Sequence, residues 1–238
     1  KPMIKLVMGI GVTLSRTVLF LLAGLLIYGI GRLVVPSFTL PDSQRLWFFQ
    51  VIGVNVIFLV IFFLNRKTIN VFLAVRQFWK DFKWLNFLWM FLGFAVLSIG
   101  GIILSSFLIF GNDSGSQNLV ISLPLVTTIL ILVFFPFLQA FVELPFYFVF
   151  ANYYLEKASI PPLAAGFLIV FFLALQHVVI PISDDIRFVV FRFLSFILLA
   201  VFILIAWRYP GNRFGLILSH YVLDLLATLQ TLALIQDA

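Results

Sequence analysis

Seven long apolar runs decide what this chain can become: Thr17–Val35, Trp47–Leu64, Asn86–Phe110, Leu119 to about Tyr153, Ile160–Ile180, Phe188–Trp207 and Phe214–Ile235. A run of about 20 apolar residues is long enough to carry a helix across the hydrocarbon of a bilayer. Lipid offers no partner to a backbone N–H or C=O, so only helices and closed barrels cross it. Barrel strands are about 10 residues long and alternate in polarity, a pattern absent from this sequence. The reading is therefore an all-α, polytopic transmembrane helical bundle of about seven spans, with residues 1–238 forming one integral membrane domain. Composition agrees: 63% of residues are hydrophobic and 10% charged, against about 25% charged in an ordinary soluble domain. With no Cys in the chain, a disulfide scaffold, a zinc ribbon and a thiol nucleophile are excluded.

A net charge of +6 would suggest nucleic acid as the partner of a soluble protein. In a membrane chain its placement reads first as topology. If all the runs cross, Lys1, Lys5, Arg66, Lys67, Arg76, Lys80, Lys83, Lys157, Arg208 and Arg213 fall on one side, and the loop Gly111–Asn118 on the other side has no Lys or Arg. By the positive-inside rule the N-terminus is then cytoplasmic, with Asn112–Ser116 and Asp237 outside. The expected setting is the cytoplasmic (inner) membrane of a prokaryote. The expected partners are the lipid bilayer and a membrane-associated polypeptide, with no nucleic acid. Lys1–Val12 is basic and then apolar, but no small-x-small cleavage site follows, so it reads as an interfacial start to the first helix. Within 70–84, Phe72, Val75, Trp79 and Phe82 recur at helical spacing against Arg76, Lys80 and Lys83, the pattern of a helix lying in the headgroup layer. Residues 1–118 thus hold three spans and this interfacial helix, and 119–238 form the core that carries the polar groups.

A charge at the centre of a spanning helix costs about 2.5–3.5 kcal/mol on insertion scales, so such residues face a cavity or a partner. Glu143, His177, His220 and Asp224 stand out on three late helices. His220 and Asp224 are four residues apart and share a helical face, as do Glu143 and Tyr147. Pro145 cannot donate to the carbonyl of Phe141, and with Pro136 it predicts a bent or broken fourth helix beside the acid. Taken singly, each polar residue also fits a plain hydrogen bond between helices. Ser183 reads as the cap of the sixth helix, with Asp184 and Asp185 complementing its dipole and Arg187 and Arg192 snorkelling or pairing with them. Ser159, followed by Pro161 and Pro162, reads as a helix start.

The stretches VELPFY (Val142–Tyr147), LALQH (Leu173–His177) and HYVLD (His220–Asp224) resemble the three motifs of the CAAX-processing and bacteriocin-processing intramembrane endopeptidases, the CPBP or Abi family. That family carries Glu-Glu-x-x-x-Arg on one helix, Phe-x-x-x-His on the next and His-x-x-x-Asn or Asp on a later one. The resemblance covers roughly Leu119–Leu232. Val142 stands where the family has its first Glu, Tyr147 where it has Arg, and Leu173 where it has Phe.

The resemblance implies hydrolysis of a peptide bond in a membrane-bound or membrane-proximal polypeptide, without a cofactor. Glu143 and His177 would share and orient the attacking water, and His220, its tautomer set by Asp224, would donate to the developing oxyanion. Tyr147 would hydrogen-bond the carboxylate, a task the family gives to Arg, and the burial of Glu143 would be unopposed by a fixed positive charge. Two His and two carboxylates are also a ligand set for zinc, which makes Glu143, His177, His220 and Asp224 the alternative metal site. Transport through a buried proton or ion relay is another use of such residues, although no matching pair of broken helices marks an inverted repeat. The remaining alternative is a catalytically degenerate member acting as an accessory, immunity or scaffold subunit of a membrane complex.

Overall fold

The computed structural model describes residues 2–111 and 125–233; the expected external loop at Asn112–Ser116, the residues Leu119–Pro124 and Asp237 lie outside them. Among the described residues there are helices and no strands. Six helices among the described residues are long and apolar enough to cross a membrane. The first, α1, runs unbroken over Pro2–Val34, so the described part of the expected interfacial start, residues 2–12, is continuous with the span. A short α2 (Leu40–Gln44) is closed by a reciprocal capping box between Thr39 and Asp42. Next come α3 (Trp47–Leu64), the amphipathic α4 (Val71–Lys80) and α5 (Trp84–Phe110). In the next span, α6 (Leu125–Pro145) keeps both prolines within the helix and opens at Phe146–Ala151 into a π segment before α7 (Asn152–Lys157). Where the sequence predicts a bend or break, the helix continues through Pro136 and widens after Pro145, a distortion that recurs at functional sites. The last spans are α8 (Pro162–Leu175), prolonged by a 3-10 turn at Gln176–Val179, and α9 (Ile186–Trp207). The seventh expected run is helical as well, as α10 (Pro210–Ala233), but it is not among the six; Asn212, Arg213, His220 and Asp224 dilute its apolar character.

Side-chain contacts fix which helix ends lie together. The α3 and α6 spans run in parallel, since Phe48 meets Phe135, Phe58 meets Phe146 and Phe62 meets Phe150. Gly9 near the start of α1 packs against Tyr154 and Ala158 at the end of α7. Phe78 of α4 packs edge-on to Trp207 at the end of α9, and Trp79 does the same to Phe214 near the start of α10. At the other end of the bundle, Gln44 donates to the carbonyl of Ile182 and Gln50 to that of Val179. One end, the basic face, therefore gathers Lys5, Arg66, Lys67, the basic side of α4, Lys157, Arg208 and Arg213.

On α4 the inward side is Val71 and Phe78, which rests on Trp207, while Phe72 and Trp79 of the apolar stripe are exposed. Two local expectations change. Ser159 ends α7 rather than starting α8: it takes a left-handed conformation at φ 59°, with Ser159 N–H on Glu156 O and Ile160 N–H on Leu155 O, a Schellman closure. At the start of α9 the cap is Asp185, which accepts from the Arg187 N–H at 2.8 Å, while Ser183 accepts from the Asp185 N–H.

Candidate functional site

Glu143 is 2% exposed at the centre of the bundle. Its Oε2 accepts from the Nε2 of Gln139, one turn earlier on α6, and from the Nε2 of Gln176 at 2.6 Å. The Arg16 guanidinium stands 3.7 Å from the same oxygen. Arg16 comes from α1, where Gly9, Thr13, Arg16, Thr17, Phe20 and Gly24 recur every three or four residues and form the buried face of that helix. Its Nε donates to Gln176 Oε1 at 2.7 Å, and its Nη2 donates to Asn55 Oδ1 at 2.9 Å and to Gln139 Oε1 at 3.3 Å. A guanidinium has donors only, so the amide oxygens of Gln139 and Gln176 must face Arg16 and their NH2 groups must face Glu143. The two amides thereby relay one polarity from cation to carboxylate. Asn55 Nδ2 also donates to Gln139 Oε1, which fixes that amide further. Arg16 Nη1 has no hydrogen-bond partner among the described residues, and the guanidinium lies 5.0, 5.5 and 5.9 Å from the ring centres of Phe20, Phe58 and Phe146, within cation–π range.

This overturns two expectations. Tyr147 does not bond the carboxylate: its hydroxyl lies 3.0 Å from the carbonyl oxygen of Phe172 and 3.2 Å from Gln176 Oε1, so it supports the amide that holds the acid. Nor does Glu143 lack a fixed positive charge, since Arg16 provides it from a helix 127 positions away in the sequence numbering.

The other carboxylate oxygen, Oε1, faces His220, whose Nε2 is 3.8 Å away. The same Nε2 is 3.1 Å from Asp224 Oδ2, one turn further along α10, and the imidazole stacks on Phe94. His220 Nδ1 has no partner among the described residues. Asp224 therefore stands against the nitrogen that also looks toward Glu143, and Nδ1 is buried. His177 sits in the 3-10 turn that follows α8. Its Nδ1 is 2.8 Å from the Leu173 carbonyl oxygen, so that nitrogen carries the proton and Nε2 keeps the lone pair. Phe196 stacks on the ring at 3.6 Å and 12°. Arg192, expected to pair with the aspartates or snorkel, instead donates to the carbonyls of His177 and Ile180 and packs its guanidinium over Phe196.

Glu143, His177, His220 and Asp224 line one cavity of about 250 Å³, together with Gln139, Arg192 and an apolar wall that includes Trp47, Phe94 and Phe135. Sequence reasoning named those four residues. It missed Arg16, Asn55, Gln139 and Gln176, although Gln139 lies four residues before Glu143 and Gln176 immediately precedes His177. As for zinc, no three His, Asp or Glu side chains among the described residues are grouped to hold a metal ion. No family model, curated protein or solved structure matches this chain.

Proposed function

We propose that this chain is an intramembrane endopeptidase similar to the CAAX-processing family, hydrolysing a peptide bond in a membrane-bound or membrane-proximal polypeptide. Its setting in this reading is the inner membrane of a prokaryote, with the basic face in the cytoplasm. The observation that carries it is the division of labour on one buried carboxylate: Oε2 of Glu143 is held by two amides beside a guanidinium, while Oε1 faces an imidazole across a shared cavity. A general base has to be held in orientation and still keep a free lone pair for a water proton. In this scheme Oε1 takes that proton, His177 orients the water through its Nε2 lone pair, and His220 donates to the oxygen of the tetrahedral intermediate. The proton taken up by Glu143 then passes to the leaving amine nitrogen as the C–N bond breaks, leaving the new carboxyl group and regenerating the carboxylate, while Asp224 holds the His220 ring at 3.1 Å.

The test is cleavage of a membrane-anchored fluorogenic reporter by the purified chain in liposomes. Glu143→Gln and His177→Ala each abolish cleavage while leaving the chain folded at the assay temperature, with helical content near that of the parent. Cleavage that survives both changes would end the proposal. One observation favours the accessory reading: the Arg16–Gln–Glu143 relay also joins α1, α6 and α8 as a structural tie. An accessory subunit would show no cleavage, and both variants would still co-purify with its partner.

A further inference from the structure

The cavity is not placed evenly through the bundle. Its lining takes Trp47 from the first residue of α3, Ser98 and Ile102 from the second half of α5, His177 from the 3-10 turn after α8 and Ile180 from the residue that follows it. Arg192 comes from the second turn of α9. These points lie away from the basic face, while Ile203, four residues before Trp207, lines the cavity on the nearer side. Along α10, side-chain exposure rises away from the basic face, from 9% at His220 to 23% at Asp224. His220 and Asp224 stand about 15 and 21 Å from the basic end of α10 at 1.5 Å per residue.

Toward the basic face the bundle is closed. Leu144, Phe146 and Tyr147 on α6 and its π segment, and Leu216 and Ile217 on α10, are fully buried. Beneath them Trp207 stacks on Phe148 at 4.7 Å and meets Phe78 of α4 at 5.3 Å, while Phe214 packs against Phe141 and Trp79. The amphipathic α4 lies across this aromatic layer through Phe78 and Trp79, and these described residues stand between the basic face and Glu143.

We infer that the cavity is entered from the face opposite the basic one, and that a polypeptide handled there is presented from that side, with its target bond in that half of the membrane. The substrate part of this inference rests on the hydrolytic reading; the direction of access does not. The chain contains no Cys, so any introduced thiol is the only one present. Ser98→Cys and Ile102→Cys report on the cavity, Lys67→Cys marks the basic face and Asp184→Cys marks the opposite face. Each variant is exposed to a membrane-impermeant maleimide in membrane vesicles of both orientations. Both cavity thiols should react in the vesicles in which Asp184→Cys reacts, and should lose that reaction in the vesicles in which Lys67→Cys reacts. Labelling from the Lys67 side would overturn the inference, as would no labelling of either cavity thiol from any side while both markers react. Labelling needs no turnover: labelling as expected without reporter cleavage would sink hydrolysis alone, and cleavage with labelling from the basic side would sink only the direction of entry.

Discussion

At the scale of residues, the candidate site is governed by the company of one buried acid. A charge removed from water needs a partner and hydrogen bonds on its remaining lone pairs, and breaking such a pair by deleting one member costs about 3–5 kcal/mol because the other is stranded. Arg16 is 0% exposed and its donors reach Asn55, Gln139 and Gln176. Arg16→Met should therefore destabilise the protein by about 3–5 kcal/mol in denaturant unfolding from detergent. Combining it with Glu143→Gln should restore part of the loss, since no buried charge is then left unpaired. A double variant that loses the sum of the two single effects would show that the pair is not coupled. The four acid and imidazole residues are legible in the sequence because charge among apolar residues is conspicuous. Arg16 is legible only as an interruption of a run; its partners lie 123 and 160 positions away, and nothing local reveals a contact that tertiary packing creates. Amides are harder still to recognise, since a neutral Gln in a span carries no mark of function until its neighbour is known.

At the scale of elements, the spans are the most legible part of the fold, because lipid leaves the backbone a single local solution. The expected Trp47–Leu64 matches α3 to the residue, and the start of the α9 run differs by two positions. Inward faces are harder to read: in a bilayer the outward face is as apolar as the core, so hydrophobic periodicity no longer separates them, and on α4 the buried Phe78 lies outside the stripe of Phe72 and Trp79, both exposed. Small residues mark the contacts better. A Cβ added at Gly101 of α5 would overlap the carbonyl oxygen of Ser195 on α9, whereas at the adjacent Gly100 it would meet nothing within 4 Å. The collision is with backbone, which cannot rotate away as a side chain can. Gly101→Ala should cost about 1–3 kcal/mol of stability by forcing the two helices apart. Gly100→Ala should leave the unfolding midpoint unchanged. Equal effects of the two substitutions in detergent unfolding would refute this close approach.

At the scale of the whole molecule, the bundle is asymmetric across its thickness: an aromatic layer lies toward the basic face, and the cavity opens beside Glu143 with Trp47, His177 and Arg192 at its other end. The layer is shared between elements far apart in sequence, since Phe78 on the amphipathic α4 supports Trp207, which stacks on Phe148 in the π segment. Removing one ring should therefore weaken the barrier without touching the acid, the imidazoles or Arg16. Phe78 is 6% exposed, and Phe→Ala in a packed core costs about 3–5 kcal/mol, part of it as the cavity left behind. In a Ser98→Cys background, Phe78→Ala should make the cavity thiol reactive toward an impermeant maleimide from the basic face, where the parent shows no reaction. Phe72→Ala, which removes an exposed ring from the lipid side of the same helix, should leave the labelling pattern as it was. If both substitutions open the basic side equally, the barrier depends on how α4 sits in the headgroup layer; if neither does, the seal lies deeper, at Phe146, Leu216 and Ile217.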